Sequence, residues 1–395
     1  MSRLFYVSFW GTSKGWWDRL DLLFDSLSKD FEVYDVGFLH NHAFKIVIKK
    51  DNHVNYVRFL LRFKKLETKI IINQLFRFPF LVYLVAKFRP IAIIFFSNVI
   101  PLYILTIIFK INKLFNFKVI LDLDEFGGKE EERRNMIIIN KIYDKITVRF
   151  LRFSNLILVL NNFAKNFLKT YGIKDSKTFV LPQFVNPNRF RNNISKEELR
   201  EKLGLNKDEI IIITSGVFRA GNYSAMLKFI RTFASLENEL KKNLSLVIIG
   251  VAHRKEFISK AIEEGNKVGL KVKYLGPYSK EMLNHYLRAS DIVLFLSLKN
   301  LGSCFNTPIR LSEYLMSRTP ILAVDLPNVR EYIKDENFLF DINNEEDISN
   351  KVKNLINLIR RNKLNFEAKM PSELNLKNTY SKLNEKLIDV IHGKI

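Results

Sequence analysis

The sequence predicts an α/β protein built from two doubly wound domains, each a parallel sheet with helices on both faces. Three observations predict it. Short apolar runs of about four to eight residues alternate with helix-period segments along the chain. The alternation stops at the polar, asparagine-containing stretch 183–208 around Pro187 and then restarts with the same architecture. Finally, 395 residues, 47% of them apolar, supply enough material for two buried cores and exclude a disordered chain.

In the first half, Leu4–Trp10 reads as a buried strand ending in the loop Gly11–Gly15, with a helix from about Trp16 to Leu27. Phe31–Phe38 and Phe44–Ile48 read as strands. Tyr56–Lys65 reads as an amphipathic helix: Tyr56, Phe59, Leu60 and Phe63 share one face, and Arg58, Arg62 and Lys65 lie on another. Leu75–Phe88 reads as a helix that ends at Arg89-Pro90, with Pro79 disturbing its first turn. Strand Ile91–Phe96, helix Pro101–Phe109 and strand Lys118–Leu123 follow. A long helical region from about Glu130 to Phe153, strand Leu156–Leu160, helix Asn162–Tyr171 and strand Thr178–Leu181 complete this half. The apolar run Ile91–Phe109 contains Ser97, Asn98 and Pro101 and sits near the lower length limit for a membrane span. A strand followed by a buried helix explains it better.

In the second half, Glu209–Thr214, Leu244–Gly250, Lys271–Leu275, Ile292–Leu296 and Ile321–Val324 read as strands. Tyr223–Leu236, Glu256–Val268, Lys280–Ala289 and Pro308–Ser317 read as helices, and an amphipathic stretch covers Leu376–His392. The expected division is 1–186, 187–375, and a helix within 376–395 that returns to the first domain.

The formal net charge of +22 favours anionic partners: phosphorylated small molecules, an acidic membrane surface or nucleic acid. Residues 45–118 hold 14 basic side chains against Asp51 and Glu67, interleaved with Phe and Tyr. Three readings stand beside each other. The segment is a membrane-surface patch, a nucleic-acid surface, or a helix packing its aromatics inward while Lys and Arg reach out. Cys304 is the only cysteine, which excludes an intrachain disulfide and a cysteine-based zinc site and fits a reducing compartment. Leu4–Trp10 is too short for a signal peptide, so a cytoplasmic chain is expected, peripheral on the inner face of the membrane if the first of these readings holds. Asp122-x-Asp124 at a strand end is a conceivable metal pair. His40, His42 and His53 lack an evident fourth zinc ligand.

Two loops fit anion chemistry at strand ends. Ser215–Gly221 reads as a strand-to-helix turn in which Gly216 lets the backbone approach a ligand and Arg219 can meet phosphate oxygens. In Gly302–Pro320, Asn306 or Thr307 can cap a helix whose first turn holds Pro308. Arg310 in that turn opposes the helix dipole unless an anion is near, and Glu313 falls three residues later on the same face. Amides plus Arg310 for phosphate, and Glu313 for a sugar diol, satisfy this arrangement. A capped surface helix with an Arg/Glu pair satisfies it too.

The run Asn306–Leu322 resembles the nucleotide-sugar motif of family 4 retaining glycosyltransferases of the two-domain GT-B type, P-x-K-x-x-E-Y-x-x-x-x-x-P-V. Val272–Gly276 with Met282–Leu296, Leu156–Val159 with Phe179–Phe190, and Leu326–Phe340 resemble further segments of that family in the same order. The resemblance implies two Rossmann-like domains facing a cleft and sugar transfer from a nucleotide sugar to a glycan or lipid-linked acceptor, without a cofactor or metal. It implies that Glu313 holds the ribose, that Arg310 and Arg219 face the diphosphate, and that the amides of Asn306 and Thr307 extend the phosphate cradle. Gly11 and Gly15 would approach donor or acceptor. Asp124 and Glu125 would stand beside the reacting sugar, where many members carry His-Asp. Phe305 departs from the paired glutamate of many members. That departure motivates an alternative: a non-catalytic GT-B-like protein that binds anionic surfaces. A transferase modifying nucleic acid is a further, less favoured alternative.

Overall fold

The computed structural model describes residues 1–8, 18–40, 45–51, 54–61, 70–97, 100–111, 116–124, 145–190, 194–369 and 373–394. These fall into two compact units: the described residues up to Phe184 and from Glu373 form the first, and those from Val185 to 369 form the second.

The first unit is an eight-stranded sheet in the order β3-β4-β2-β1-β5-β6-β7-β8. Its strands are β1 (Ser2–Val7), β2 (Phe31–His40), β3 (Lys45–Asp51), β4 (Val54–Leu61), β5 (Ala92–Phe96), β6 (Lys118–Leu123), β7 (Leu156–Val159) and β8 (Thr178–Val180). All pairs are parallel except the β3–β4 hairpin. Leu4–Val7, Ala92–Phe96 and Leu156–Val159 are buried throughout, as expected of parallel strands covered on both faces. The helix Glu373–Ile391 belongs to this unit. Its Leu376, Tyr380, Leu383, Leu387 and Val390 recur at helical spacing and join the core with Leu20, Leu23, Phe24 and Leu27.

Val54–Leu61 is a strand, not the expected helix over Tyr56–Lys65. It runs parallel to β2 and antiparallel to β3, and this pairing decides the conformation of a Val- and aromatic-rich segment whose spacing fits either period. Arg58 is thereby removed from any amphipathic surface: Nη2 donates to Asp35 Oδ2 at 2.7 Å, and Asp35 is fully buried. Pro79 lies well inside the helix Ile70–Phe88 rather than in its first turn. Among the described residues no helix is long and apolar enough to cross a membrane; Ile91–Phe109 resolves into β5 and the helix Ile100–Ile111.

The second unit is a six-stranded parallel sheet in the order β11-β10-β9-β12-β13-β14. Its strands are β9 (Ile210–Phe218), β10 (Leu244–Ala252), β11 (Lys271–Gly276), β12 (Ile292–Phe295), β13 (Ile321–Val324) and β14 (Leu339–Phe340). The chain enters it at Val185. The polar stretch 183–208 is not wholly irregular: Ser195 caps a helix over Lys196–Lys202 by accepting from the Glu198 amide.

One buried ion pair ties the first unit together. Arg19, in the first turn of the helix Asp18–Leu27, donates to both carboxylate oxygens of Asp122 near the end of β6, at 2.9 and 2.7 Å. Tyr6 of β1 donates to the same carboxylate at 3.0 Å, and Tyr380 of the last helix donates to the Arg19 carbonyl at 3.0 Å. Burial works against the Arg19 charge, yet the Asp122 carboxylate holds the guanidinium above its ordinary value. Removing one partner leaves the other charge buried and unpaired. Arg19→Met or Asp122→Asn should therefore cost about 3–5 kcal/mol in urea unfolding. The combined Arg19→Met/Asp122→Leu variant should cost less than the sum of its single changes.

Candidate functional site

In the second sheet, β9 is the first strand. The chain runs from it outward through β10 and β11 on one side and then through β12, β13 and β14 on the other. The order of strands therefore reverses between β9 and β12, and ligands of doubly wound sheets bind beyond the carboxyl ends of strands at such a point. The helix Ile309–Ser317 reaches both of these strand ends, and seven of its nine residues are buried.

Arg310 and Tyr314 make the connection. Tyr314 Oη accepts from the Ser215 amide at 2.7 Å, donates to the Ser215 carbonyl at 3.1 Å and lies 3.0 Å from Ser215 Oγ. Arg310 donates to the carbonyls of Ser215 at 3.3 Å and Leu296, and to Asn222 Oδ1 at 3.4 Å. Its guanidinium carbon lies 4.8 Å from the Phe295 ring centroid. Every one of these partners is neutral. Among the described residues no carboxylate pairs with Arg310, although only 8% of its surface is exposed. Burial pushes its pKa down, with a small opposing influence from Tyr314.

Glu313 does not pair with Arg310, as its spacing suggests. It meets Arg189 instead, with Nη2 3.4 Å from Oε1 and both side chains largely buried. Arg189 sits in the helical turn Pro187–Phe190, whose backbone is held by Asn284 Nδ2 donating to the Arg189 carbonyl at 2.8 Å.

Several sequence expectations shift. Ser215–Phe218 is not a loop but the end of β9, and Arg219 is the exposed residue preceding the helix Ala220–Arg231. Gly216 (φ 131°) and Gly250 (φ 134°) face each other across β9 and β10 in conformations that favour glycine. The helix Ile309–Ser317 is entered through Pro308, so neither Asn306 nor Thr307 caps it. The Asn306 amide closes the preceding helix Leu301–Phe305 by donating to the Gly302 carbonyl at 3.0 Å, and Thr307 is fully buried. The Asn306 amide is thereby already used within the chain, and the helix itself begins at the half-buried Ile309. Phe305 is fully buried in the core. Cys304 is half-buried, and burial raises its pKa, so the thiol form prevails at neutral pH.

In the first unit, the strand order reverses between β1 and β5. Ser97 follows β5 and donates to Oδ1 of Asp124, the residue after β6; the Asp124 amide returns a bond to Ser97 Oγ at 3.4 Å. Asp122 is committed to Arg19 and Tyr6, which removes it from the conceivable metal pair. Among the described residues no group of three His, Cys, Asp or Glu side chains is placed to hold a metal. Gly11, Gly15, Glu125, His42 and His53 lie outside the described residues, as does the His40 side chain. The contacts of Ser97, Arg189, Asn222 and Tyr314 are not evident from the sequence; Arg189 and Tyr314 lie inside the segments that resemble the family, yet only three-dimensional contacts single them out.

The two-glycine crossing is directly testable. A Cβ on Gly250 would lie 2.0 Å from the Gly216 carbonyl oxygen, whereas one on Gly204 (φ 63°) would meet nothing within 4 Å. In equilibrium unfolding, Gly250→Ala should cost more than the roughly 1–3 kcal/mol of backbone strain alone. Gly204→Ala should cost only about 1–2 kcal/mol.

Residues 195–369 match the model of the family described as Glycosyl transferases group 1. A chitobiosyldiphosphodolichol beta-mannosyltransferase of Candida albicans is 23% identical over 225 residues, covering 55% of this chain and 47% of its own. The chain thus spans about half the length of this curated relative. Among solved structures, sucrose-phosphate synthase of Thermosynechococcus elongatus superposes with a TM-score of 0.70 at 14% identity, over 99% of this chain and 95% of that one. An E. coli trehalose-6-phosphate structure bound with UDP-2-fluoro glucose gives 0.69 at 11% identity, over 100% and 96%. The chain carries the two-sheet fold of these proteins, and residues 195–369 of its second unit are similar to the glycosyltransferase group 1 family.

Proposed function

We propose that the protein is a glycosyltransferase that moves a sugar from a nucleotide-sugar donor to a glycan or lipid-linked acceptor. The observation that carries this reading is Arg310: a buried guanidinium whose partners among the described residues are all neutral, at the point where the second sheet reverses order. A buried cation of this kind calls for an anionic partner, and a diphosphate supplies one. The family match and the UDP-2-fluoro glucose bound by a protein of the same fold support the same donor class. The Candida relative's name supports a lipid-linked acceptor.

In this reading the bond between the sugar's anomeric carbon and the diphosphate breaks through an oxocarbenium-like state. Negative charge grows on the leaving diphosphate. Arg310, the exposed Arg219 and the first amides of the helix Ile309–Ser317 stabilise it. Glu313 accepts hydrogen bonds from the ribose hydroxyls. On the family resemblance alone, Asp124, whose carboxylate accepts from Ser97, is proposed to act on the reacting sugar or acceptor hydroxyl. Retention of configuration is proposed on the resemblance to family 4 alone. Because the Candida relative is named for a beta linkage, the anomer of the isolated product, read by NMR, decides this point.

The non-catalytic alternative rests on Phe305, whose full burial excludes a sugar-facing side chain at that position. An anionic membrane surface along residues 45–118 is a separate proposal. It retains the exposed Lys49, Lys50, Lys87 and Arg89 but loses Arg58 to Asp35 and Arg77 to the interior. Flotation with anionic vesicles that fails at low salt removes it.

Titrating uridine and guanosine diphosphates into the purified chain tests the donor site. Arg310→Ala and Glu313→Ala should each weaken the preferred nucleotide by about tenfold or more. Asp124→Asn should leave that affinity near wild type and lower turnover of the matching nucleotide sugar. No binding and no turnover across a donor panel would remove the enzyme reading.

A further inference from the structure

The Arg189–Glu313 contact adds a residue to the site that neither the motif nor the family match assigns. Resting on the reading of Glu313 as the ribose-binding carboxylate, we propose that Arg189 is a positioning residue for it. Arg189 sets the orientation of Glu313 and thereby the selectivity of the site for ribose over deoxyribose nucleotides. The two side chains come from distant parts of the second unit, 124 positions apart, and meet at 3.4 Å with only 14% and 9% of their surfaces exposed. A carboxylate this deeply enclosed needs a counter-charge to stay ionised. A carboxylate has several acceptor positions, so the contact of Arg189 with Oε1 does not by itself exclude a diol.

Arg189 is itself held in place. Its carbonyl accepts from Asn284, a residue 2% exposed, and its amide donates to the Asn186 carbonyl at 3.2 Å, closing the turn Pro187–Phe190. Its guanidinium carbon lies 5.6 Å from the Phe190 ring centroid. Backbone, ring and ion pair together restrict where the guanidinium can sit. Glu313 is restrained from its own side, because the next residue, Tyr314, is pinned to Ser215. A carboxylate fixed at both ends cannot turn to follow a ligand that lacks one hydroxyl. Such a site rejects the deficient analogue, because a buried polar group is then left unmatched.

The test is calorimetric titration of the full chain with uridine and guanosine diphosphates and their 2′-deoxy and 3′-deoxy counterparts. The thermal unfolding midpoint of each variant serves as the folding control. Wild type should prefer the ribonucleotide over at least one deoxy form by about tenfold or more, and Glu313→Gln should erase that preference. Arg189→Met, which keeps the length and removes the charge, should shrink the preference to about threefold or less while an unchanged midpoint reports intact folding. Arg189→Lys should recover part of it. Should Arg189→Met unfold the chain, Arg189→Lys carries the test: wild-type selectivity in that variant would overturn the proposal, since a lysine cannot reproduce the planar guanidinium geometry. Undiminished selectivity in Arg189→Met, beside lost selectivity in Glu313→Gln, would overturn the role of Arg189 alone. Undiminished selectivity in Glu313→Gln would overturn the ribose assignment and this proposal with it.

Discussion

A guanidinium buried against backbone carbonyls organises the second unit. Arg310 reaches from the first turn of its helix to the ends of β9 and β12, the two strands between which the sheet changes direction. Gly216 lies beside this side chain with φ 131°, a backbone conformation that favours glycine, and a Cβ there would sit at ordinary contact distance, 3.5 Å, from Arg310. Tyr314, one turn later, fixes the helix on Ser215. The strand ends, the helix and the cation form one assembly, at the kind of strand end where ligands of doubly wound sheets bind.

The first unit answers the same problem differently. Arg19 is also buried and also sits in the first turn of a helix that follows a strand end, yet it has a carboxylate in full bidentate contact. Its charge is spent on structure: it locks β1, β6, the helix Asp18–Leu27 and the last helix to one another. The comparison separates two kinds of buried arginine. One with an acid beside it holds a fold together. The other, with carbonyl oxygens as its partners among the described residues, keeps a charge without a counter-ion there.

The alternation of apolar strands and amphipathic helices was legible because burial on both faces of a parallel sheet forces long aliphatic runs, as in Ile210–Ile213 and Leu246–Ile249. The segment around Glu313 stood out in the sequence for another reason: two opposite charges, Arg310 and Glu313, interrupt a largely apolar helix. Three things were hidden. The helix period of Tyr56–Phe63 competed with a strand period, and only the neighbours β2 and β3 decide between them. The two-residue β14 is too short to show any period. The helix Glu345–Arg360 did carry signals, with Asn344 accepting from the Asp347 amide and an acidic first turn, but no functional motif drew attention to it. Partner choice was the least legible. Spacing alone pairs Arg310 with Glu313, whereas depth sends one to the strand carbonyls and the other to Arg189.

The replacement of an expected acid by Phe305 follows from the local backbone. Asn300 caps the helix Leu301–Phe305 through the Ser303 amide, and Ser297 donates to Ser303 Oγ at 3.0 Å. From the other side, Asn328 Nδ2 donates to the carbonyls of Ser303 and Asn306 at 3.0 and 2.5 Å. Asn328 is fully buried, so this short helix is anchored along its C-terminal side, and position 305 is turned into the core. An acid there would be a buried charge, which the chain avoids by using phenylalanine. The more exposed positions of this segment, Leu301, Ser303 and Cys304, carry neutral side chains, so the segment brings no second carboxylate toward Arg310.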